Sequence, residues 1–511
     1  MKSLNLSLKN NIMKKLTYIL IVITLITATS LFAQESNIFL SRDYWKSNPS
    51  ISDIDKKIDK GLDIAQLNGF AFDAVSYALI EKVDNETIKH LLSKEGNGAN
   101  KLTHDGRTYI FWAVYKDNLE LMNYLVEKGA KTDVIDSHGY SVLNFAAVTG
   151  QTNTKLYDFL IKHGANPEAE KNHDGANALL LVAPFLKDEN LVSYFLSQNG
   201  DINTSDTDGN GIFNYAAKGG NLKMLQWLID KGVPYKNLNA KGGNAMIFAS
   251  QGRRGKENTL EVYKFLESKG VQVNVTGNNG RNPLHAIAYD TEDLEIFKYF
   301  INKDVDVNQQ DEGGVSPFMN AANSSKLEVV KFLSTYVKDI NAKDENGRSA
   351  LAKAINRNRV EIAEFLISIG ADIATIDKDQ NSLAYYILNT FRINKPETFN
   401  EKLKLLQSAG LDLTLTQGKG KTLYHLAVEK NNLELLKRVH DFKIDVNAKN
   451  TDGLTPIHLA AMKAKDLKIL KYLISIGADK NVKTDFEESV YDLAKENELL
   501  QKFNIKIDFL K

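Results

Sequence analysis

Nine histidines and a complete absence of cysteine frame the chemistry open to this sequence. Histidine is the commonest metal ligand and the side chain most readily poised to move a proton near neutral pH. His104, His138 and His173 form the obvious constellation, since they fall near the tips of three successive turns. A zinc ion needs each ligand nitrogen about 2.0–2.1 Å away, whereas equivalent positions on neighbouring packed units stand roughly 10 Å apart. The three also lie at unequal offsets from their turn glycines, so no metal site is expected. His90, His163 and His440 read as helix or helix-end residues. Without cysteine there is no disulfide, no thiol nucleophile, no Cys-ligated zinc and no lipid anchor on an N-terminal cysteine.

Gly418-Lys419-Gly420-Lys421-Thr422 ends like a phosphate-binding loop, in which backbone amides and a lysine cradle the phosphates. That pattern needs a glycine at position 415, where Leu415 stands, and a strand-then-helix setting that the flanking residues lack. The metalloprotease HExxH, the GxSxG nucleophile elbow and a calcium loop of the expected spacing are all missing. Carboxylates are plentiful, but they recur in Asp-x-x-Gly turns, where the side chain serves local hydrogen bonds. The 64 basic and 64 acidic residues cancel, so charge makes no case for nucleic acid. No enzyme and no cofactor is expected from these residues.

The elements that carry them are clearest between Asn450 and Lys480. Asp452-Gly453 suits a tight turn, Thr455 can cap a helix, and Pro456 stands at the first helical position, where its missing N–H costs nothing. A short helix is predicted through Ile457 to about Met462. A second places Leu467, Leu470, Leu473 and Ile474 on one face, and Gly477 ends it. Such a unit cannot bury its apolar face alone and calls for neighbours of its own kind. They are found by following the turn slot backwards, through Gly106, Gly139, Gly175, Gly209, Gly242, Gly280, Gly314, Gly347, Gln380, Gly420 and Gly453. Seven residues later stand Ala113, Ala146, Ala216, Ala249, Ala321, Ala354, Ala427 and Ala460, with Val182, Ile287 and Ile387 as exceptions. A small residue there lets two helices approach closely.

This register resembles the ankyrin-repeat family. Its T-P-L-H-x-A motif is matched by Thr455-Pro456-Ile457-His458-Leu459-Ala460, and in part by Asn282-Pro283-Leu284-His285, Ser316-Pro317-Phe318 and Thr422-Leu423-Tyr424-His425-Leu426-Ala427. The resemblance covers roughly residues 44–500. It implies an all-α solenoid of ankyrin repeats, helix-turn-helix units joined by short β-hairpin loops. It also implies that His285, His425 and His458 hold the turn by hydrogen bonds.

At the amino end, Lys14 and Lys15 precede an apolar run from Leu16 to Ile26, and Ala33-Gln34 follows. A basic start, an apolar core and a small residue describe a secretory signal peptide over 1–33, cleaved after Ala33. The alternative is an uncleaved anchor, since Leu16 to Ala33 approaches the shortest bilayer span. Residues 34–102 are expected to hold an N-terminal cap and a diverged repeat. In the cap, Ile51, Ile54 and Ile58 mark the second half of a terminal unit; in the repeat, helices are predicted over Ala74–Glu81 and Glu86–Lys94. The array spans 103–486, and 487–511 form a closing cap and tail, with Glu487 in the glycine slot and Asp492 in the histidine slot. Surface insertions are expected near Leu186–Glu189 or Thr149–Thr154, at Gln251–Asn258, and at Asn389–Asn400.

What remains is recognition. In ankyrin proteins partners commonly meet the concave face of hairpin tips and inner helices. Carried onto this chain by register, the resemblance picks out Arg107, Tyr115, Tyr140, Phe185, Arg281, Tyr289, Arg348 and Arg357, with His104, Asp105, Ser137 and His138 beside the first three. Tyr and Arg are common hot-spot residues. The expectation is a monomeric, non-catalytic scaffold that docks a partner protein outside the cytoplasm, strongest from Arg107 to Tyr140. Two other readings come from resemblance alone: an accessory role in peroxide defence, since some exported bacterial ankyrin proteins are associated with catalase, and an effector released towards host cells.

Overall fold

Each repeat opens with a helix that is buried on most of its sides and closes with one that is apolar along a single face. Tyr109 to Val114 are all buried in one opening helix, and Pro456 to Ala461 in another. Of the closing helix Leu433–His440, only Leu435, Leu436 and Val439 are buried. The cause is position. An opening helix packs against the opening helices before and after it as well as its own partner, while a closing helix keeps one side in water. The alanine slot lies at the tightest of these contacts, and Ala113, Ala146, Ala249, Ala321, Ala354 and Ala427 have no exposed surface.

The structure, a computed structural model, describes residues 37–511. The export-signal reading of 1–33 lies outside the described residues. The chain divides into two compact units, Met1–Thr207 and Asp208–Lys511. The described part of the first holds five helix pairs and the second holds nine. The boundary between the units falls inside the array read from sequence as 103–486.

The expected β-hairpins reduce to isolated bridges, such as Ile135 with Ser141 and Lys343 with Ser349. The hairpin amides are engaged elsewhere. Asp136 Oδ1 accepts the amides of His138 and Tyr140, each at 2.9 Å, and Asp344 Oδ1 those of Asn346 and Arg348 at 2.9 Å. Most tips then donate one amide to the tip before them: Glu312 to Asn279 at 2.9 Å, Glu345 to Gly313 at 2.8 Å, Lys378 to Asn346 at 2.9 Å. This ladder explains the glycine slot. A Cβ on Gly347 would stand 2.7 Å from the Lys378 amide nitrogen, and the residue's φ of +77° is the left-handed region that favours glycine.

Two sequence expectations change. The amino-terminal cap is a complete helix pair rather than a half, because Arg42–Lys46 supplies an opening helix ahead of Ile51–Asp59. Trp45 is fully buried there and donates its indole N–H to the Phe39 carbonyl at 2.8 Å. The last insertion is only partly a loop, since Glu397–Ser408 is helical from Glu397 onward. The first falls between Val142–Val148 and Thr154–Lys162, one of the two places expected. The second lies between Ala245–Gln251 and Leu260–Ser268 as expected. Ala74–Glu81 is helical over the predicted span, and its partner runs from Asn85 to Leu92.

Candidate protein-docking site

The motif histidines are part of the scaffold. His458 Nδ1 accepts the Thr455 amide at 3.1 Å, and its Nε2 lies 3.0 Å from the Val482 carbonyl of the next hairpin. His285 and His425 repeat this with Val315 and Leu454 at 3.1 and 2.9 Å. The Nε2–H tautomer satisfies both sides, and burial depresses all three, His285 to about 4. His104 and His138 both reach Asp105 Oδ2, at 3.3 and 3.1 Å, closer than unit spacing alone suggests. No group of three His, Cys, Asp or Glu among the described residues is placed to hold a metal ion. Residues Gly418–Gly420 form a turn with Lys419 in the left-handed region, while Lys421 pairs with Glu429 at 2.8 Å.

In the first unit the four residues singled out for docking differ sharply. Arg107 is 9% exposed. Its guanidinium lies 2.8 Å from Asp136 Oδ2, 3.1 Å from Asp105 Oδ2 and 4.5 Å from the Phe145 ring centre. It braces the hairpin tips of two repeats, with its charge already answered. Tyr140 is half-buried, and burial raises its hydroxyl pKa. Phe185 is also half-buried, its ring packed over Gly150. Tyr115, at the end of Tyr109–Tyr115, is 38% exposed, with Lys116 Nζ 4.8 Å from its ring centre.

In the second unit three of the four converge. Tyr289 from one repeat and Arg348 and Arg357 from another line one groove of about 340 Å³ together with Asn320, Asn323, Lys353, Asn356 and Tyr386. Arg281 is outside it, its Nε 3.9 Å from Asp311. Beneath the groove, Asp344 accepts from Lys353 Nζ at 2.6 Å and Arg348 Nε at 2.9 Å. Burial works to raise this carboxyl, but the Lys353 hydrogen bond, the Arg348 amide and the two positive charges outweigh it and hold it below the usual range. Tyr386 donates to Asp377 at 2.5 Å; burial and that carboxylate keep its hydroxyl protonated. Arg357 is exposed and makes no hydrogen bond or ion pair among the described residues.

Sequence reasoning missed Lys353, Asn320 and Tyr386, because their slot, six residues past the turn, reads as apolar packing. Trp112 and Tyr215 do pack there. The usable signal was polarity: Asn320 and Lys353 are polar where the slot is normally filled by an aromatic or aliphatic side chain.

A family model described as ankyrin repeats matches residues 75–171, 179–277, 254–344, 284–377 and 395–484. These spans cover more than half of the chain, which therefore belongs to the ankyrin-repeat family. Among its relatives, the ankyrin repeat protein nuc-2 of Neurospora crassa is 26% identical over 41% of this chain and 19% of its own length. The nuclear factor NF-kappa-B p105 subunit of Gallus gallus is 38% identical over 18% of this chain and 10% of its own. Human protein phosphatase 1 regulatory subunit 27 is 29% identical over 18% and 58%. The chain spans less than two thirds of the length of each. Ankyrin repeats mark a protein-interaction scaffold and are in general non-catalytic. No helix among the described residues is long and apolar enough to cross a membrane.

Proposed function

We propose that this chain is a non-catalytic scaffold that docks a partner protein, outside the cytoplasm, on the face made by its hairpin tips and opening helices. The observation that carries the reading is the groove of the second unit, where side chains from four successive repeats meet on one surface and three of them are residues that the family register marks for contact. Two relatives bear the names of subunits, which supports an assembly role for the repeats they share with this chain. The basic, apolar and small-residue sequence of 14–33 supports export.

The test is photocrosslinking in intact cells, with a photoreactive residue at Tyr289 and, as a control on the closing-helix face, at exposed Glu328. One dominant adduct with an extracytoplasmic protein is expected from Tyr289 and not from Glu328. Equal labelling from both positions, or adducts with cytoplasmic proteins alone, would overturn the reading.

A further inference from the structure

We infer that the groove between Tyr289 and Tyr386 takes an acidic segment of polypeptide, extended across the opening helices of four repeats; this rests on the docking reading above. Arg348, Lys353 and Arg357 contribute to its wall, and no Asp or Glu does. The carboxylate underneath, Asp344, is shared by Arg348 and Lys353. Asp344 thus answers two positive charges, a second carboxylate, Asp377, is taken by the Tyr386 hydroxyl, and Arg357 pairs with neither, which leaves three positive charges against two negative ones. In a chain whose net charge is zero, this excess belongs to the groove and not to the molecule at large. Carboxylates entering it would meet one guanidinium held in place by Asp344, that of Arg348, and a second, that of Arg357, left without a partner, and charge complementarity of this kind selects the partner and speeds its arrival.

The rest of the wall suits a peptide rather than another polyanion. Asn323 spends an amide hydrogen on Ser324 at 2.8 Å and keeps its carbonyl oxygen. Asn356 accepts weakly from Asn389 at 3.4 Å and keeps its amide hydrogens. One acceptor and one donor in adjacent repeats match the alternating groups of an extended backbone. Tyr289, 36% exposed, adds a ring face on which an apolar residue between acidic ones can rest. With helices packed 8–10 Å apart, three repeat steps span roughly 25–30 Å, the reach of about eight or nine extended residues.

The probe is a fluorescein-labelled peptide of that length, alternating Glu with Asp around one Leu, titrated with the purified full chain and followed by fluorescence anisotropy. The expected result is binding that weakens as salt rises and falls tenfold or more with Arg357→Glu, while a Lys-rich peptide of equal length does not bind. Arg357 makes no hydrogen bond or ion pair but ends the helix Ala350–Arg357, so reversing its charge should lower the melting temperature by no more than a few degrees and leave the variant folded. No binding of the acidic peptide, binding unchanged in Arg357→Glu, or tighter binding of an equally long oligothymidylate would each overturn the inference. If the Tyr289 crosslink persists while the acidic peptide fails, the chemistry falls and the docking reading stands; if the crosslink also fails, both fall.

Discussion

At the scale of single residues, the same arginine type does two different jobs in equivalent slots. Arg107 and Arg348 both follow a turn glycine, yet Arg107 is closed in by Asp105, Asp136 and Phe145, while the Arg348 side chain is 39% exposed above one carboxylate. Removing Arg107 leaves the buried Asp136 without its cation. Breaking such a pair costs roughly 3–5 kcal/mol, because a charge is left in a dry place. Arg107→Ala is therefore expected to lower stability by about 3 kcal/mol in a thermal melt of the full chain. A melting temperature equal to the parent's would show that Arg107 is not a brace. Sequence register marks both arginines alike, since it reports the slot and not what stands across from it. The deciding neighbour, Asp136, lies 29 residues away in the next hairpin.

At the scale of the element, an asparagine device recurs at the start of closing helices. Asn358 Nδ2 donates to the Ala322 and Ser325 carbonyls at 2.9 and 3.1 Å, and Asn497 Nδ2 to those of Ala461 and Ala464 at 2.9 and 3.0 Å. Each ties the free carbonyls at the end of the preceding repeat's opening helix to the next repeat. In the repeat that follows Gln380 the long insertion displaces this residue, and Lys402 reaches the equivalent carbonyl of Ile355 at 2.7 Å instead. Lys402 is 1% exposed, and burial pushes its ammonium down to about 8 from 10.5. Between those values the folded chain has released the proton while the unfolded chain still holds it. Stability should accordingly rise with pH from about 8 to 10.5, by roughly 3 kcal/mol from this residue, and stay level below 8. Urea unfolding midpoints of the parent and of Lys402→Met across that range would show it, and parallel profiles would contradict it. Element type and period were legible in the sequence because turn glycine, cap and alanine recur at fixed offsets. The opening helix Arg42–Lys46 was not, because it lacks a turn glycine and shows only Phe39 and Trp45 as its apolar anchors. The substitution of Lys402 for an asparagine was not either, since an insertion moved it out of register.

At the scale of the molecule, function follows from repetition. A single ankyrin unit presents one or two side chains on its inner face, too few to hold a partner. Stacking sets Tyr289, Asn323, Arg357 and Tyr386 side by side on four opening helices that are rigid because each is buried between its neighbours. Register alone was enough to name Tyr289, Arg348 and Arg357, but not to show that they share a groove while Arg281 is left outside it. That depends on which neighbours Asp344 and Asp311 engage. The most direct test of docking takes the partner captured through Tyr289 and measures its affinity for the purified parent chain and for a Tyr289→Ala, Arg357→Ala double variant by calorimetry. Binding at least tenfold weaker in the variant, at an unchanged melting temperature, is the expected result. Equal affinity for both proteins would contradict docking at this groove.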